Sequence, residues 1–413
     1  MSTNTKISDV SCTVCGAYTL RHAIHFGPQP PSNRFILDNS TMNSCTEDKH
    51  PLSLGFCEEC CTIQLSTRMP MDMIVPKYDW LNYNEPEGHL DDTVEKLFEL
   101  PGIGTESLIL GVTYKDKSTI DRFTCKGVKP GKVITQEDLE ITANKPYGLE
   151  TVQKQLRDPI IIKKLKAKYG KVDLLLARHI VEHSEDAASL IRSLRELIKP
   201  EGYLIMEFPD SDKIFISNNH AFIWEEHISY FTKHSIKTIC NFVDAELSWS
   251  GQYAYPYEDS LVTAFKFLPN SKSKIIEKSS NEISKVGERL HNFGQSLEEA
   301  KEFWRTKLTQ YLNKGYRIAV FGAGHLAAKF INFLQISDLF NCVIDDNPNK
   351  VGMKMAGSSL PILSSTALDE RDIKICISTL SPESEVKVKE KLASYFQRGG
   401  VLISAFSTSE NSK

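Results

Sequence analysis

The 413-residue sequence has no run close to the roughly 18 apolar residues that a membrane-crossing helix needs, so no transmembrane helix is expected. Its first residues, Met1-Ser2-Thr3-Asn4-Thr5-Lys6, lack the apolar core of an export signal. Neither sign of charge dominates: charged residues make up 25% and the formal net charge is −4, which removes the electrostatic case for nucleic acid or an acidic membrane as partner. The 10 cysteines are not spread as a disulfide framework but fall partly in close pairs, which favours reduced thiols and bound metal. The expectation that remains is a cytoplasmic globular protein whose size and composition suit an enzyme. Its length exceeds what one hydrophobic core organises, so two or three domains are expected.

The cysteine pairs lie in the first of them, residues 1–95. Cys12-Thr13-Val14-Cys15 and Cys57-Glu58-Glu59-Cys60 are C-x-x-C knuckles about 40 residues apart, and two such knuckles complete a closed tetrahedral Cys₄ site. Between them the chain is rich in loop residues (Phe26-Gly27-Pro28-Gln29-Pro30-Pro31) and poor in apolar material, so a structural Zn²⁺ would supply the missing folding energy. Neither knuckle precedes the helix that a thioredoxin-like redox pair requires. Tyr78-Asp79-Trp80-Leu81-Asn82-Tyr83-Asn84-Glu85 follows, dense in aromatic and polar groups and short of aliphatics. It reads as a ligand-facing loop or an aromatic segment that docks two domains.

Residues 96–268 form the middle domain. Ser107–Thr113 and Val172–Ala177 read as buried strands. A helical pattern over Ala187–Ile198 and a Lys199-Pro200-Glu201-Gly202 turn lead to a further strand, Tyr203–Phe208. This is the wiring of a doubly wound sheet, whose ligands sit beyond the strands' carboxyl ends. Trp224-Glu225-Glu226-His227-Ile228-Ser229-Tyr230-Phe231 stands out after the last of these strands. It is either a general-base site or a helix start whose acids face the dipole. His179 and His183 would share a face if helical and could contact a ligand, with no third metal ligand visible beside them. A polar, helix-patterned connector (269–314) leads to the last domain, 315–413. There Tyr316-Arg317-Ile318-Ala319-Val320-Phe321-Gly322-Ala323-Gly324-His325 gives strand, glycine turn and helix start. Cys342-Val343-Ile344-Asp345-Asp346 ends a second strand in acids, close to the dinucleotide-binding fingerprint.

Leu-x-x-Leu-Ile-Lys-Pro-Glu-Gly-Tyr, then Met-Glu-Phe-Pro, then Glu-Glu-His-Ile-Ser-Tyr-Phe, together with the two knuckles and the third domain, resemble the nucleotide-sugar C-methyltransferases of deoxysugar pathways. The resemblance implies an α/β protein: a zinc-binding N-terminal module, a class I methyltransferase-like doubly wound domain and a second Rossmann-like α/β domain. It implies structural Zn²⁺ held by Cys12, Cys15, Cys57 and Cys60, S-adenosylmethionine (SAM) over Gly111, Thr113, Lys115, Asp116 and His179, and a nucleotide-sugar substrate against Gly322, Gly324, His325, Asp345 and Asp346. The family's Tyr-His-Glu-His motif, whose base removes a proton beside a 4-keto group, falls on Trp224-Glu225-Glu226-His227. His227 then becomes the base and Glu226 its partner, with Trp224, Tyr78 or Tyr83 near the developing oxyanion. Two departures stand out. The motif's Tyr and first His are Trp224 and Glu225, and the loop after the first strand, Gly111-Val112-Thr113-Tyr114-Lys115, has one glycine where a SAM site ordinarily has several. A SAM-independent enzyme, NAD-dependent through the Gly322–Gly324 turn, or a non-catalytic binding protein on the same scaffold is the alternative. The protein is expected to act as a monomer or homodimer.

Overall fold

The computed structural model describes residues 10–37, 49–81, 85–142, 147–268 and 280–406. The middle domain is a six-stranded sheet in the spatial order Ala245–Tyr253, Asp259–Phe267, Ile198–Asp210, Val172–Arg178, Ile109–Gly111 and Lys132–Val133. The last four run parallel, and Asp259–Phe267 runs antiparallel to both of its neighbours, so it alone is reversed. Val172–Arg178 is apolar on nearly every residue because both of its faces are covered. Leu175, Ala177, Leu204 and Met206 enter one core, and Leu174, Leu176, Tyr203 and Ile205 the other. Fully burying one such leucine contributes about 1.5–3 kcal/mol.

Two sequence expectations change here. The segment Lys199–Gly202 is not a turn before a strand but lies inside the long strand Ile198–Asp210, with Lys199 Nζ 2.8 Å from Asp173. His179 and His183 do not share a helix face, since His179 is left-handed (φ 52°) and Val181–His183 is a single 3₁₀ turn. A left-handed residue cannot continue a helix, and the sheet demands this bend because His179 N–H donates to the Glu207 carbonyl of the neighbouring strand. The helix-patterned connector is one 34-residue helix, Ser280–Asn313.

The N-terminal module is an antiparallel sheet of Leu20–Gln29, His50–Cys57 and Ile63–Thr67. Its fourth strand, Ser229–Tyr230, comes from the middle domain directly after His227. The C-terminal sheet runs Ile362–Leu363, Cys342–Ile344, Arg317–Phe321, Ile373–Ser378 and Val401–Ser404, all parallel. The N-terminal module reaches this domain as well: Ile36–Leu37 pairs with Met353–Lys354, and Phe26 stacks on Phe333 at 4.3 Å. One apolar core therefore joins Ile24, Leu54, Phe222, Phe293 and Phe330 from all parts of the chain.

Candidate active site

Cys12 and Cys15 precede the strand Leu20–Gln29, and Cys57 and Cys60 lie at the turn closing His50–Cys57. Their four sulfurs are within 4.8 Å of one another, with Cys12–Cys60 at 3.4 Å and Cys15–Cys57 at 3.5 Å. Zn–S bonds of about 2.3 Å in a tetrahedron place sulfurs about 3.8 Å apart, so this donor set fits Zn²⁺. Thr19 and Thr62 hydroxyls lie 3.5 and 3.2 Å from Cys57 and Cys60 as outer hydrogen-bond partners. Cys61, bent to φ 59°, stands outside the cluster.

The three domains enclose a cleft of about 1180 Å³ at the carboxyl ends of both parallel sheets. That is room for a nucleoside cofactor and a second, nucleotide-sized ligand together. Trp224, Glu226 and His227 form its floor. Trp224 stacks on His325 at 4.5 Å, and His227 lies 5.0 Å from Trp224 and edge-on to His183 at 4.7 Å. The Trp224 carbonyl accepts from the buried Tyr230 hydroxyl, which also accepts the Trp224 N–H, fixing the bend that presents His227. Glu226 points to Asn33, whose amide donates at 3.0 Å, rather than to His227. Tyr78 lines the cleft but donates its hydroxyl to the Phe35 carbonyl. Tyr83 lies outside the described residues.

Burial sets the electrostatics. It pulls His227 down to about 4, helped by nearby His179 and Lys115 and opposed by Glu85. It lowers His325 to about 4 and His183 well below the usual imidazole range. His179 behaves oppositely: burial works against its charge, but Glu85 and Glu207 outweigh that and push it up to about 10. Burial, with Glu225 and Glu150 close by, holds Glu226 well above the carboxylate range, and Glu258 rises to about 8. The floor thus offers a neutral imidazole, His227, beside a cation, His179. Neither Glu85 nor Glu258 stood out in the sequence. Glu85 at least lay in the aromatic loop read as ligand-facing, whereas nothing local marks Glu258.

At the cofactor end, Thr113, Lys115 and His179 line the cleft, but Gly111 and Asp116 do not. Asp116 is a correction: its buried carboxylate accepts from Val112, Thr113 and Arg178 N–H, and its Cβ sits over Gly111, 2.7 Å from where a side chain there would begin. The amides that a glycine-rich loop would offer to a cofactor are spent on this acid. Lys115, paired with Glu85 at 3.1 Å, is a cation available there for a carboxylate. Val133, Leu139 and Val152 give apolar walls beside Thr135 and Gln136, a surface that fits an adenosine. Asp138, by contrast, turns to Lys168 and Tyr169.

On the opposite wall Gly322 (φ 97°) passes under Leu380, leaving 2.7 Å for any Cβ. A side chain on Gly324 would meet no protein atom within 4 Å and would project into the cleft. Gly324→Val should therefore leave thermal stability unchanged yet weaken binding of a nucleotide sugar at least about tenfold by occupying its space. Titration calorimetry on the variant checks this, and unchanged affinity would reduce the turn to a structural one. Asp345 accepts the Ala323 N–H at 2.9 Å and pairs with Lys350, facing the cleft. Asp346 instead turns away to Lys391 and the Ser365 N–H, which removes it from the ligand wall.

A pair that the sequence did not reveal ties this wall to the floor. Glu225, 2% exposed, lies 2.6 Å from Lys329 Nζ and accepts from the Ser32 backbone and hydroxyl. Three domains thus meet on one carboxylate beside the 226–227 floor. Lys329→Met strands that charge and should cost about 3–5 kcal/mol in urea unfolding. Adding Glu225→Gln should recover part of the loss, and a cost under about 1 kcal/mol would show the pair to be dispensable.

Three stretches of the chain match known family models. Residues 12–74 match the family model described as "Putative zinc binding domain", 105–247 match "Methyltransferase domain", and 270–406 match "C-methyltransferase C-terminal domain". The C-methyltransferase NovU of Streptomyces niveus is 21% identical over 230 residues, 55% of this chain and 54% of that protein, so the match spans about half the length of this curated relative. Among solved structures, a SAM-dependent methyltransferase from Anabaena variabilis is similar over 44% of this chain and 84% of its own, at 16% identity and a TM-score of 0.31. The 1,6-didemethyltoxoflavin-N1-methyltransferase of Burkholderia thailandensis, solved with S-adenosylhomocysteine, aligns over 44% and 78% at 11% identity and a TM-score of 0.29.

Proposed function

For a chain built of a zinc-binding domain, a methyltransferase domain and a C-methyltransferase C-terminal domain, we propose SAM-dependent C-methylation of a nucleotide-linked keto sugar. The observation that carries it is the shared cleft, in which a half-buried, neutral imidazole faces both the cofactor wall of the middle domain and the Gly322–Gly324 turn. When bound, SAM supplies an electrophilic methyl group. Lys115 and Thr113 hold its amino-acid end, and Thr135 and Gln136 face its ribose. The Gly322–Gly324 turn at the start of helix His325–Leu334 takes the substrate's pyrophosphate, with Asp345 toward its ribose. His227 would take up the proton beside the ketone, leaving an enolate able to accept the methyl that SAM would supply, with S-adenosylhomocysteine as the leaving group. His179, cationic and buried, stabilises negative charge on the floor.

The test is calorimetry with SAM and S-adenosylhomocysteine, followed by incubation with a panel of nucleotide-linked 4-keto sugars and mass detection of an added methyl group. Because Asp116 consumes the loop amides, SAM affinity should be weaker than this fold ordinarily gives. The absence of heat with either compound at millimolar concentration would instead favour a SAM-independent sugar-nucleotide enzyme.

A further inference from the structure

Glu182, His183 and His227 offer one carboxylate oxygen and two imidazole nitrogens, all within 4.8 Å of one another. All three line the cleft, so any ion there would keep open positions toward it. Glu182 is 2% exposed, and neither of its oxygens has a hydrogen-bond partner among the described residues. Its nearest charge is His179 Nδ1 at 3.7 Å, beyond hydrogen-bond reach. A buried carboxylate left without donors is costly unless something absent from the protein itself completes it. The His183 ring stands perpendicular to that of His227, at 89°, so the two rings converge without stacking.

We propose that Glu182, His183 and His227 form a second metal site, one for a first-row divalent transition ion, distinct in chemistry from the Cys₄ centre. Two imidazoles and one carboxylate are a donor set for such ions, whereas the cysteines select zinc by their sulfur. Bonds of about 2.0–2.2 Å need ligand atoms about 3–3.5 Å apart, so the cluster closes by roughly 1.5 Å at most on loading. Coordination uses the same His227 lone pair that would accept the substrate proton. The ion and the proton-transfer step therefore exclude each other, and a bound divalent ion holds the enzyme inactive until it is removed. The inhibitory consequence rests on the function proposed above, but the binding does not.

The experiment titrates zinc-loaded, full-length protein with Co²⁺, read by visible absorption and by metal content after gel filtration. One Co²⁺ beyond the zinc is expected, with ligand-field absorption of nitrogen and oxygen ligands and no sulfur charge-transfer band. Glu182→Gln and His183→Asn should each weaken that second equivalent at least about tenfold while zinc content stays the same. No second equivalent, a sulfur band, or wild-type Co²⁺ affinity in both variants would overturn the site. Where methyl transfer is measurable, turnover should fall as Co²⁺ fills the site and return on brief chelation. Full turnover with the site filled would overturn the inhibitory role alone.

Discussion

Replacing His227 by Asn is expected to cut methyl transfer by about 10²- to 10⁴-fold while substrate and cofactor still bind. A proton beside a ketone is too weakly acidic to leave unaided, so the step needs a base held against it. The half-buried imidazole of His227 is unprotonated at neutral pH because desolvation, with His179 and Lys115 nearby, disfavours a second positive charge. Its place depends on Trp224 and Tyr230, which asparagine does not disturb, so the fold and the zinc should survive. Asparagine keeps a polar group of similar reach but cannot take up the proton. The measurement is single-turnover methyl transfer with binding followed separately by calorimetry. Near-normal turnover in a folded variant would return the Trp224–Phe231 segment to a structural role.

The second large effect is expected at Cys57. Zinc binding to small thiolate domains contributes about 10–16 kcal/mol, most of which is folding free energy. Cys57 ends a strand with its sulfur fully buried, and its N–H donates to the Thr62 carbonyl across the knuckle. Cys57→Ser should therefore lose the metal and unfold the N-terminal sheet, seen as zinc below half an equivalent and rapid proteolysis between residues 10 and 67. The damage should not stop there. Thr13 Oγ1 lies 2.9 Å from Ser229 Oγ, and Gln64 pairs with Ser229 across the sheet edge, two residues past His227. Turnover should fall with zinc loss, although no cysteine among the described residues lines the cleft. Freshly purified, chelator-free protein of unaltered sequence holding less than half an equivalent of zinc would sink the assignment.

Some of this was legible in the sequence because it is local. Two-residue cysteine spacing, the apolar run Val172–Ala177 and the Gly322-Ala323-Gly324 turn each declare themselves within a dozen residues, and each has the predicted structure. What stayed hidden depends on distant partners. Asp116 looks like a cofactor ligand until the Arg178 N–H, from another strand, is seen to take its carboxylate. His179 and His183 look like a helical pair until the sheet bends His179 into left-handed space. Glu225 reads as a degenerate motif position, yet it carries the ion pair with Lys329, because only the folded chain brings the C-terminal helix over it. Spacing in sequence cannot report a charge pair across a domain boundary.

The meeting of Ser32, Glu225 and Lys329 on one carboxylate has a bearing on synthesis. The Ser32–Glu225 contact spans 193 residues, and the stack of Trp224 on His325 closes a further loop of about a hundred. Contacts of such long range form late, after local helices and hairpins, and carry the entropy of every loop they close. During translation the middle domain can collapse on its own sheet, but the cleft wall at Thr379–Ser381 does not yet exist. A nascent chain therefore carries His227 in an unfinished, solvent-filled groove, and the cleft comes into being only once Thr379–Ser381 has been made and docked.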